Sequence, residues 1–405
     1  MEENNRGGKE FRRGFLWGIT VTVVLVALVV VLQGVAGRFT SATAEQTVSD
    51  IGTKKKLETL AEIIDSRYYE EVESQQIEEG IYQGLMNSLG DPYSQYYKAD
   101  EYKSLMDSTT GSYYGIGAVL SQDQETMQVT VLHVYKGSPA EEAGVKDGDV
   151  ILAVDGAETE KEELSELVKR IKGSEGTTVS LTLQRKGVDK SLTVQVERRQ
   201  VEVPTVEYQM LQDSTGYLQI TEFSDVTPGQ FEKAVADLEG QGMTSLIVDL
   251  RNNPGGVLES VNEILDLILP EGIIVYTEDK YGNRTDYTSK GDTYMEMPLA
   301  VLINENSASA SEIFAGAIKD YEYGTLIGTT TFGKGIVQQI IPLKDGSAVK
   351  VTIARYFTPK GNYIHEVGIE PDIRLEYEYL GPEDEEYDIM KDNQVLKALE
   401  VLPNR

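Results

Sequence analysis

The sequence contains no cysteine, which excludes disulfides, thiolate zinc sites and a cysteine nucleophile. Histidine is nearly as scarce: His133 and His365 are the only two in 405 residues. A multi-histidine metal site is thereby excluded, and no metal or organic cofactor is expected. A Ser-His-Asp triad would have to draw on one of that pair. Basic residues are also short, with 37 against 67 acidic ones and a formal net charge of −30. So negative a chain repels phosphate backbones, and no nucleic-acid partner is expected. What remains is an ordinary globular mix, 40% hydrophobic and 26% charged, long enough for two or three folded units.

One apolar run stands out. Gly14 to Gly37 carries no charge, and Ile19, Val21, Val23, Val24, Leu25, Val26, Leu28 and Val29 to Leu32 fill its middle. At 1.5 Å per residue such a helix spans a hydrocarbon core of roughly 30 Å. Arg6, Lys9, Arg12 and Arg13 precede it, so residues 1–14 are expected in the cytoplasm, 15–37 in the membrane, and the remainder outside. Ala42-Thr43-Ala44 resembles a signal-peptide cleavage site, and cleavage would give a secreted form. Both readings put the folded part beyond the cytoplasm.

Residues 38–53, rich in Ser, Thr and Ala, read as a linker. Residues 54–110 read as helical, with Leu57, Leu60, Ala61 and Ile64 spaced for one face and a second helix starting at Ser74. This segment is too small for its own core and is expected to pack on a neighbour or a second subunit. Residues 111–199 read as short alternating strands, Ala118–Leu120, Gln128–Val134, Val150–Val154 and Thr178–Gln184, with an amphipathic helix over Glu162–Ile171. From 200 to 378 the pattern is α/β, with apolar strands suited to burial on both faces. Residues 379–405 read as an acidic, then helical, tail.

Three segments carry chemistry. Asn304-Glu305-Asn306-Ser307-Ala308-Ser309-Ala310-Ser311-Glu312 follows a buried strand and opens a helix, where free N–H groups can stabilise an oxyanion. On residue chemistry alone Ser307, Ser309 and Ser311 are equal candidates, and a serine-rich helix cap is a sufficient account. Thr331-Phe332-Gly333-Lys334-Gly335-Ile336-Val337-Gln338 sets a lysine between glycines without the spacing of a phosphate loop. Asp249-Leu250-Arg251-Asn252-Asn253-Pro254-Gly255-Gly256 ends a buried strand in a turn that exposes N–H groups.

Together these motifs, with Phe357-Thr358-Pro359 and Gly368-Ile369-Glu370-Pro371-Asp372, resemble the carboxyl-terminal processing (tail-specific) proteases from Leu57 to about Leu375. The resemblance implies an α/β core of the ClpP/crotonase-like type with an inserted PDZ domain, a helical N-terminal segment and one transmembrane helix. It implies Ser309 as nucleophile, Lys334 as general base at the family's 25-residue separation, and Gln338 orienting the lysine. The Ala310 N–H, with Gly255 or Gly256, would form the oxyanion hole. Tyr114-Gly115-Ile116-Gly117, followed by Gly-Ser-Pro-Ala and Asp-Gly-Asp, resembles the loop with which PDZ domains capture a peptide carboxylate. Implied partners are unfolded or flexible proteins with apolar C-termini and a possible homodimer, and the PDZ domain is expected to gate the protease.

The chemistry is consistent with that assignment. A serine needs an adjacent base, and a lysine, ordinarily protonated at neutral pH, serves only where burial lowers its pKa. The glutamine amide can hold an amine without strongly stabilising its charge. Neither histidine is expected to be catalytic. Two other readings stand beside this one: a non-catalytic PDZ scaffold, and an acyl-transfer enzyme with an enoyl-CoA hydratase-like core.

Overall fold

The computed structural model describes residues 43–292, 295–382, 385 and 387–402, in two units, 1–80 and 81–405. The anchor expected over 15–37 lies outside the described residues, as does the start of the linker. No helix among the described residues is long and apolar enough to cross a membrane.

The first unit holds α1 (Ala44–Ser49), α2 (Ile51–Arg67) and the first turns of α3 (Ser74–Asn87). The stretch read as a linker is thus helical from Ala44, because its polar residues act as caps. Thr43 Oγ1 accepts from Gln46 N at 3.2 Å, and the Asp50 carboxylate accepts from Gly52 N and Thr53 N at 2.7 and 3.1 Å. No side chain of α1 to α3 is buried; Leu57, Leu60 and Ile63 are exposed.

The second unit continues with β1 (Gln95–Tyr97), α4 (Ala99–Thr110) and β2 (Ser112–Gly115). The middle domain follows: β3 (Ala118–Gln122), β4 (Val129–Val134), α5 (Pro139–Glu142), β5 (Val150–Val154), β6 (Ala157–Glu158), α6 (Leu164–Ile171), β7 (Thr178–Gln184) and β8 (Leu192–Glu197). Its sheet runs β3-β4-β5-β7-β8, and β2 pairs with β9 (Arg199–Glu202) outside it. Period-two burial of Val179, Leu181 and Leu183 meets Leu167 and Ile171, one turn apart on α6, to close a small core.

The larger domain comprises β10 (Val206–Met210), β11 (Thr215–Ile220), α7 (Thr227–Gly240), β12 (Ser245–Asp249), α8 (Leu258–Ile268), β13 (Gly272–Asp279), β14 (Arg284–Ser289), β15 (Leu299–Ile303), α9 (Ala310–Asp320), β16 (Thr325–Gly328), β17 (Ile336–Pro342), β18 (Ala348–Phe357), β19 (Ile373–Arg374) and α10 (Asn393–Val401). Its main sheet runs β10-β11-β12-β15-β16-β19, parallel from β11 onward. Every residue of β12 and β15 is buried, as strands covered on both faces require. Leu246 and Val248 share a core with Phe231, Ile264 and Phe314 of α7, α8 and α9. Ile247, Ala300 and Leu302 meet Val395 and Ala398 of α10 on the other face. The C-terminal segment, read as an acidic, then helical, tail, therefore closes the second layer with its helix. A second sheet, β1-β18-β13-β14 with β17 on β18, carries the lysine loop. The chemistry-bearing turns leave the carboxyl ends of the adjacent strands β12 and β15, where sites form in open α/β sheets.

Candidate active site

Strand β15 delivers the three serines to the start of α9, and their surroundings separate them. Ser307 is buried, and its hydroxyl donates to Leu250 O at 2.8 Å. Ser311 is buried, and its hydroxyl donates to Asn253 O at 2.9 Å. Both tie the serine turn to the neighbouring strand end. Ser309 is half-exposed, and its hydroxyl donates to no carbonyl among the described residues. Its backbone is strained, with φ at 55° and ψ at −112°, a conformation that persists only when its surroundings impose it. They do: Ser309 N donates to Glu312 Oε2 at 2.9 Å, and Ser309 O accepts from the Tyr356 hydroxyl at 3.1 Å.

The Pro-Gly-Gly turn packs directly on this element. Ala308 N donates to Asn253 O at 3.0 Å. A Cβ on Gly255 would lie 2.8 Å from both Ala310 N and Ser309 Cβ, so only glycine allows this approach. Gly255 N–H is itself taken by Asn253 Oδ1 at 2.8 Å. Among the described residues, the Gly256 and Ala310 N–H groups have no acceptor, which leaves them as the free donors of the trio expected from sequence.

Glu312 joins this turn to the lysine loop, a role that sequence reading missed. Its fully buried carboxylate accepts four bonds: Thr331 Oγ1 at 2.6 Å and Gly333 N at 2.7 Å on Oε1, Lys334 N at 2.8 Å and Ser309 N at 2.9 Å on Oε2. One carboxylate thus fixes the backbones of Ser309 and Lys334 together. The glycines flanking Lys334 let the loop pass close to the chain at 364–368; a Cβ on Gly335 would meet His365 N at 2.7 Å.

The side chains are less closely joined. No hydrogen bond links Lys334 Nζ to Ser309 Oγ among the described residues. The amine lies over the Tyr93 ring, 4.8 Å from its centre. Gln338, expected to orient the lysine, instead donates to Thr352 Oγ1 at 3.3 Å. The cause is a latch from the segment before β1. Thr352 Oγ1 donates to Asp91 Oδ2 at 2.6 Å, which leaves the hydroxyl oxygen as an acceptor for Gln338. Ser94 bridges the same pair, with its hydroxyl on Asp91 at 2.6 Å and its oxygen accepting Thr352 N at 3.0 Å. Burial, then the like charge of Lys350, pushes the Lys334 amine below the ordinary lysine range, while Glu312 and Asp91 pull it back.

Residues 214–375 match the model of peptidase family S41, 130–185 that of a PDZ domain, and 33–101 that of the activating protease CtpB N-terminal domain. A probable CtpA-like serine protease of Staphylococcus aureus (strain COL) is 33% identical over 391 residues, covering 95% of this chain and 76% of the relative. The chain belongs to peptidase family S41. It is a serine-type peptidase of the carboxyl-terminal processing kind, with a PDZ domain. The carboxy-terminal processing protease CtpB of Bacillus subtilis (strain 168) is 36% identical over 338 residues, 82% of this chain and 70% of that one. Among solved structures, a photosystem II D1 C-terminal processing protease matches at 31% identity and a TM-score of 0.46, over 80% of this chain and 87% of the other.

In this S41 peptidase the base of the Pro-Gly-Gly turn is an ion network. Arg251 bonds Asp249 Oδ2 at 2.6 Å and Asp392 Oδ2 at 2.9 Å, with both carboxylates buried. Tyr217 donates to Asp249 at 2.7 Å and Tyr387 to Asp392 at 2.9 Å. In the PDZ domain Tyr114 faces solvent at 45% exposure, while Gly115, Ile116 and Gly117 are buried. His133 is an exposed residue of β4 paired with Asp147 at 3.3 Å. His365 lies against the lysine loop, and its buried Nδ1 has no partner among the described residues. No three acidic or histidine side chains converge as a metal site among the described residues.

Proposed function

We propose that this chain is a membrane-tethered serine endopeptidase acting outside the cytoplasm, with Ser309 as nucleophile and Lys334 as base, and that its PDZ domain takes substrates by their C-terminal tails. The observation that carries the reading is the shared Glu312 carboxylate, which holds Ser309 and Lys334 on facing turns beside the free Gly256 and Ala310 N–H groups. The lowered pKa of Lys334 favours the neutral amine that a base must be.

In the reaction the Lys334 amine leaves Tyr93 and accepts the Ser309 proton as Oγ attacks the scissile carbonyl. Gly256 and Ala310 N–H groups bind the developing oxyanion. Collapse expels the amine leaving group, which takes the proton from Lys334, and water then hydrolyses the acyl-serine by the same route reversed. Gln338 turns from Thr352 to the amine when the Asp91 latch opens, so the described conformation is a latent form. An apolar PDZ cavity of about 110 Å³ suits an apolar tail. The exposed apolar faces of α2 and α3 suit a homodimer. The charge-free 15–37 stretch, with basic residues before it, supports the anchor.

The test is cleavage of an unfolded reporter by the full chain, with the reporter ending in an apolar residue as the free acid or as the amide. The reading expects a fall in kcat/KM of at least about tenfold on amidation, because the amide lacks the charge that the backbone amides receive. Equal cleavage of both removes tail recognition.

The pH dependence tests the lysine. Lys350→Gln removes the like charge that helps lower Lys334, so more of the amine stays protonated at a given pH. The acid limb of kcat/KM is expected to move to higher pH, with the alkaline plateau kept. A limb that stays in place or moves down contradicts Lys334 as base.

A further inference from the structure

The lysine that would serve as base rests on an aromatic ring, and such a ring favours one of its two forms. Lys334 Nζ lies over Tyr93, 4.8 Å from the ring centre, within the range of a cation–π contact. The Lys334 backbone N–H is bonded to Glu312, but among the described residues the amine makes no hydrogen bond and no ion pair. A built turn presents the ring. Asp91 accepts from Tyr93 N at 3.0 Å, from the Ser94 hydroxyl at 2.6 Å and from Thr352 Oγ1 on β18 at 2.6 Å, and Pro92 stiffens the backbone between. Directly after this turn β1 pairs with β18, Gln95 opposite Lys350 and Tyr97 opposite Ala348. The same segment makes a second contact of this kind, with Lys350 Nζ 5.3 Å from the centre of the Tyr97 ring. The attraction acts between the ring quadrupole and a full positive charge, so a neutral amine gains little from it. A general base must be neutral. The contact therefore favours the form of Lys334 that cannot take the Ser309 proton, and holds it where no bond reaches Ser309 Oγ.

We propose that Tyr93 is a positioning residue for the base: its ring parks the charged Lys334 amine away from Ser309, and the amine moves to Ser309 as it loses its proton. This rests on reading Lys334 as the base. The charges around the amine act in both directions. Lys350 on β18 disfavours the ammonium, while Glu312 on α9 and Asp91 before β1 favour it. His365, on the chain packed against Gly335, adds a positive charge beside Asp91 only when protonated. Tyr93 joins the groups that favour the ammonium without bringing a charge or a proton acceptor of its own. Parking and protonation are thus one equilibrium: with its proton the amine is held on the ring, and without it the hold is released. The turn that presents the ring also carries the Asp91–Thr352 bond, and Gln338 lies on Thr352. Residues 91–94 therefore withhold the base and its expected orienter together.

The experiment takes the pH profile of kcat/KM on the unfolded reporter for the full chain, Tyr93→Leu and Tyr93→Phe, with thermal melts to show that each is folded. Leucine fills apolar volume without a π face, so the ammonium loses its hold. The acid limb is expected to move to lower pH by about 0.5–1.5 pH units, which raises kcat/KM on that limb by about three- to thirtyfold. The alkaline plateau, where the amine is neutral in both proteins, should change little. Phenylalanine keeps the face and is expected to leave the limb where the parent has it. In parallel, trace acetic anhydride, which acetylates neutral amines, titrates Lys334 in the same proteins carrying Ser309→Ala, read by mass spectrometry of the Lys334 peptide. The half-labelling pH is expected to fall in Tyr93→Leu by the same amount as the limb, and it decides the matter where cleavage is too slow to profile. A limb or half-labelling pH that stays in place or rises in Tyr93→Leu overturns the proposal, and a lowered plateau with an unmoved limb makes Tyr93 a packing residue only. A shift in Tyr93→Phe equal to that in Tyr93→Leu overturns the ring's part, since only the hydroxyl is then at work. Full activity in Lys334→Ala removes the base and the proposal with it. That outcome is distinct from an inactive Lys334→Ala beside a Tyr93→Leu that behaves like the parent, which removes the role of Tyr93 alone.

Discussion

Glu312→Ala is expected to lower kcat on the reporter by at least about 10³-fold and to destabilise the protein by roughly 3–6 kcal/mol. The carboxylate satisfies four donors, from Ser309 N, Thr331 Oγ1, Gly333 N and Lys334 N. Alanine strands all four in a place from which water is largely excluded, at about 1–3 kcal/mol for each buried group left unpaired. The loss in rate comes from position. Ser309 holds a strained backbone that its own N–H bond to Glu312 helps impose, and misplacement by about 1 Å costs about a hundredfold. Glu312→Gln separates the two effects. It keeps an oxygen for Thr331 and Gly333 but turns an NH₂ toward the Ser309 and Lys334 N–H groups. Most of the stability should survive, while kcat still falls by about a hundredfold. Thermal melts and reporter kinetics on the three proteins check this, and melting and cleavage within twofold of the unmutated enzyme in Glu312→Ala would contradict it.

Arg251→Ala is expected to cost about 3–5 kcal/mol, a fall in Tm on the order of 10 °C. Arg251 is the shared counter-ion of Asp249 and Asp392, both with no exposed surface. Deleting it leaves two uncompensated carboxylates inside the protein, and that penalty far exceeds the worth of an exposed pair. Arg251→Lys should recover only part of the loss, because one ammonium cannot span Asp249, Asp392 and Gln394 as the planar fork does. Activity should fall with stability, since the turn bearing Gly255 and Gly256 begins at this residue. A melt unchanged by Arg251→Ala would show that the network contributes nothing net.

The parts of this molecule that were legible in the sequence are those set by local pattern. Strands β12 and β15 are buried on both faces and read as apolar runs. The three chemical turns were legible as turns because Gly, Pro and Ser mark them. Local pattern could not separate Ser309 from Ser307 and Ser311. That distinction depends on carbonyls of Leu250 and Asn253, 57 and 58 residues away in the chain. Glu312 was legible only as the last residue of the serine run, since its partners beyond Ser309 lie 19 to 22 residues on. The Asp91 latch on Thr352 spans 261 residues, beyond the reach of any local pattern. The C-terminal segment was read as helical, but its packing was not legible, because its buried Val395 and Ala398 are too few to form a pattern.

The central claim is that Ser309 and Lys334 perform the chemistry. The most direct measurement is cleavage of the unfolded, apolar-ended reporter by the full chain beside Ser309→Ala and Lys334→Ala, with melts to show that both variants are folded. Loss of cleavage in both is the expected result, by at least about 10⁴-fold for Ser309→Ala. Cleavage that survives Ser309→Ala would contradict the nucleophile, and full activity in Lys334→Ala would contradict the base.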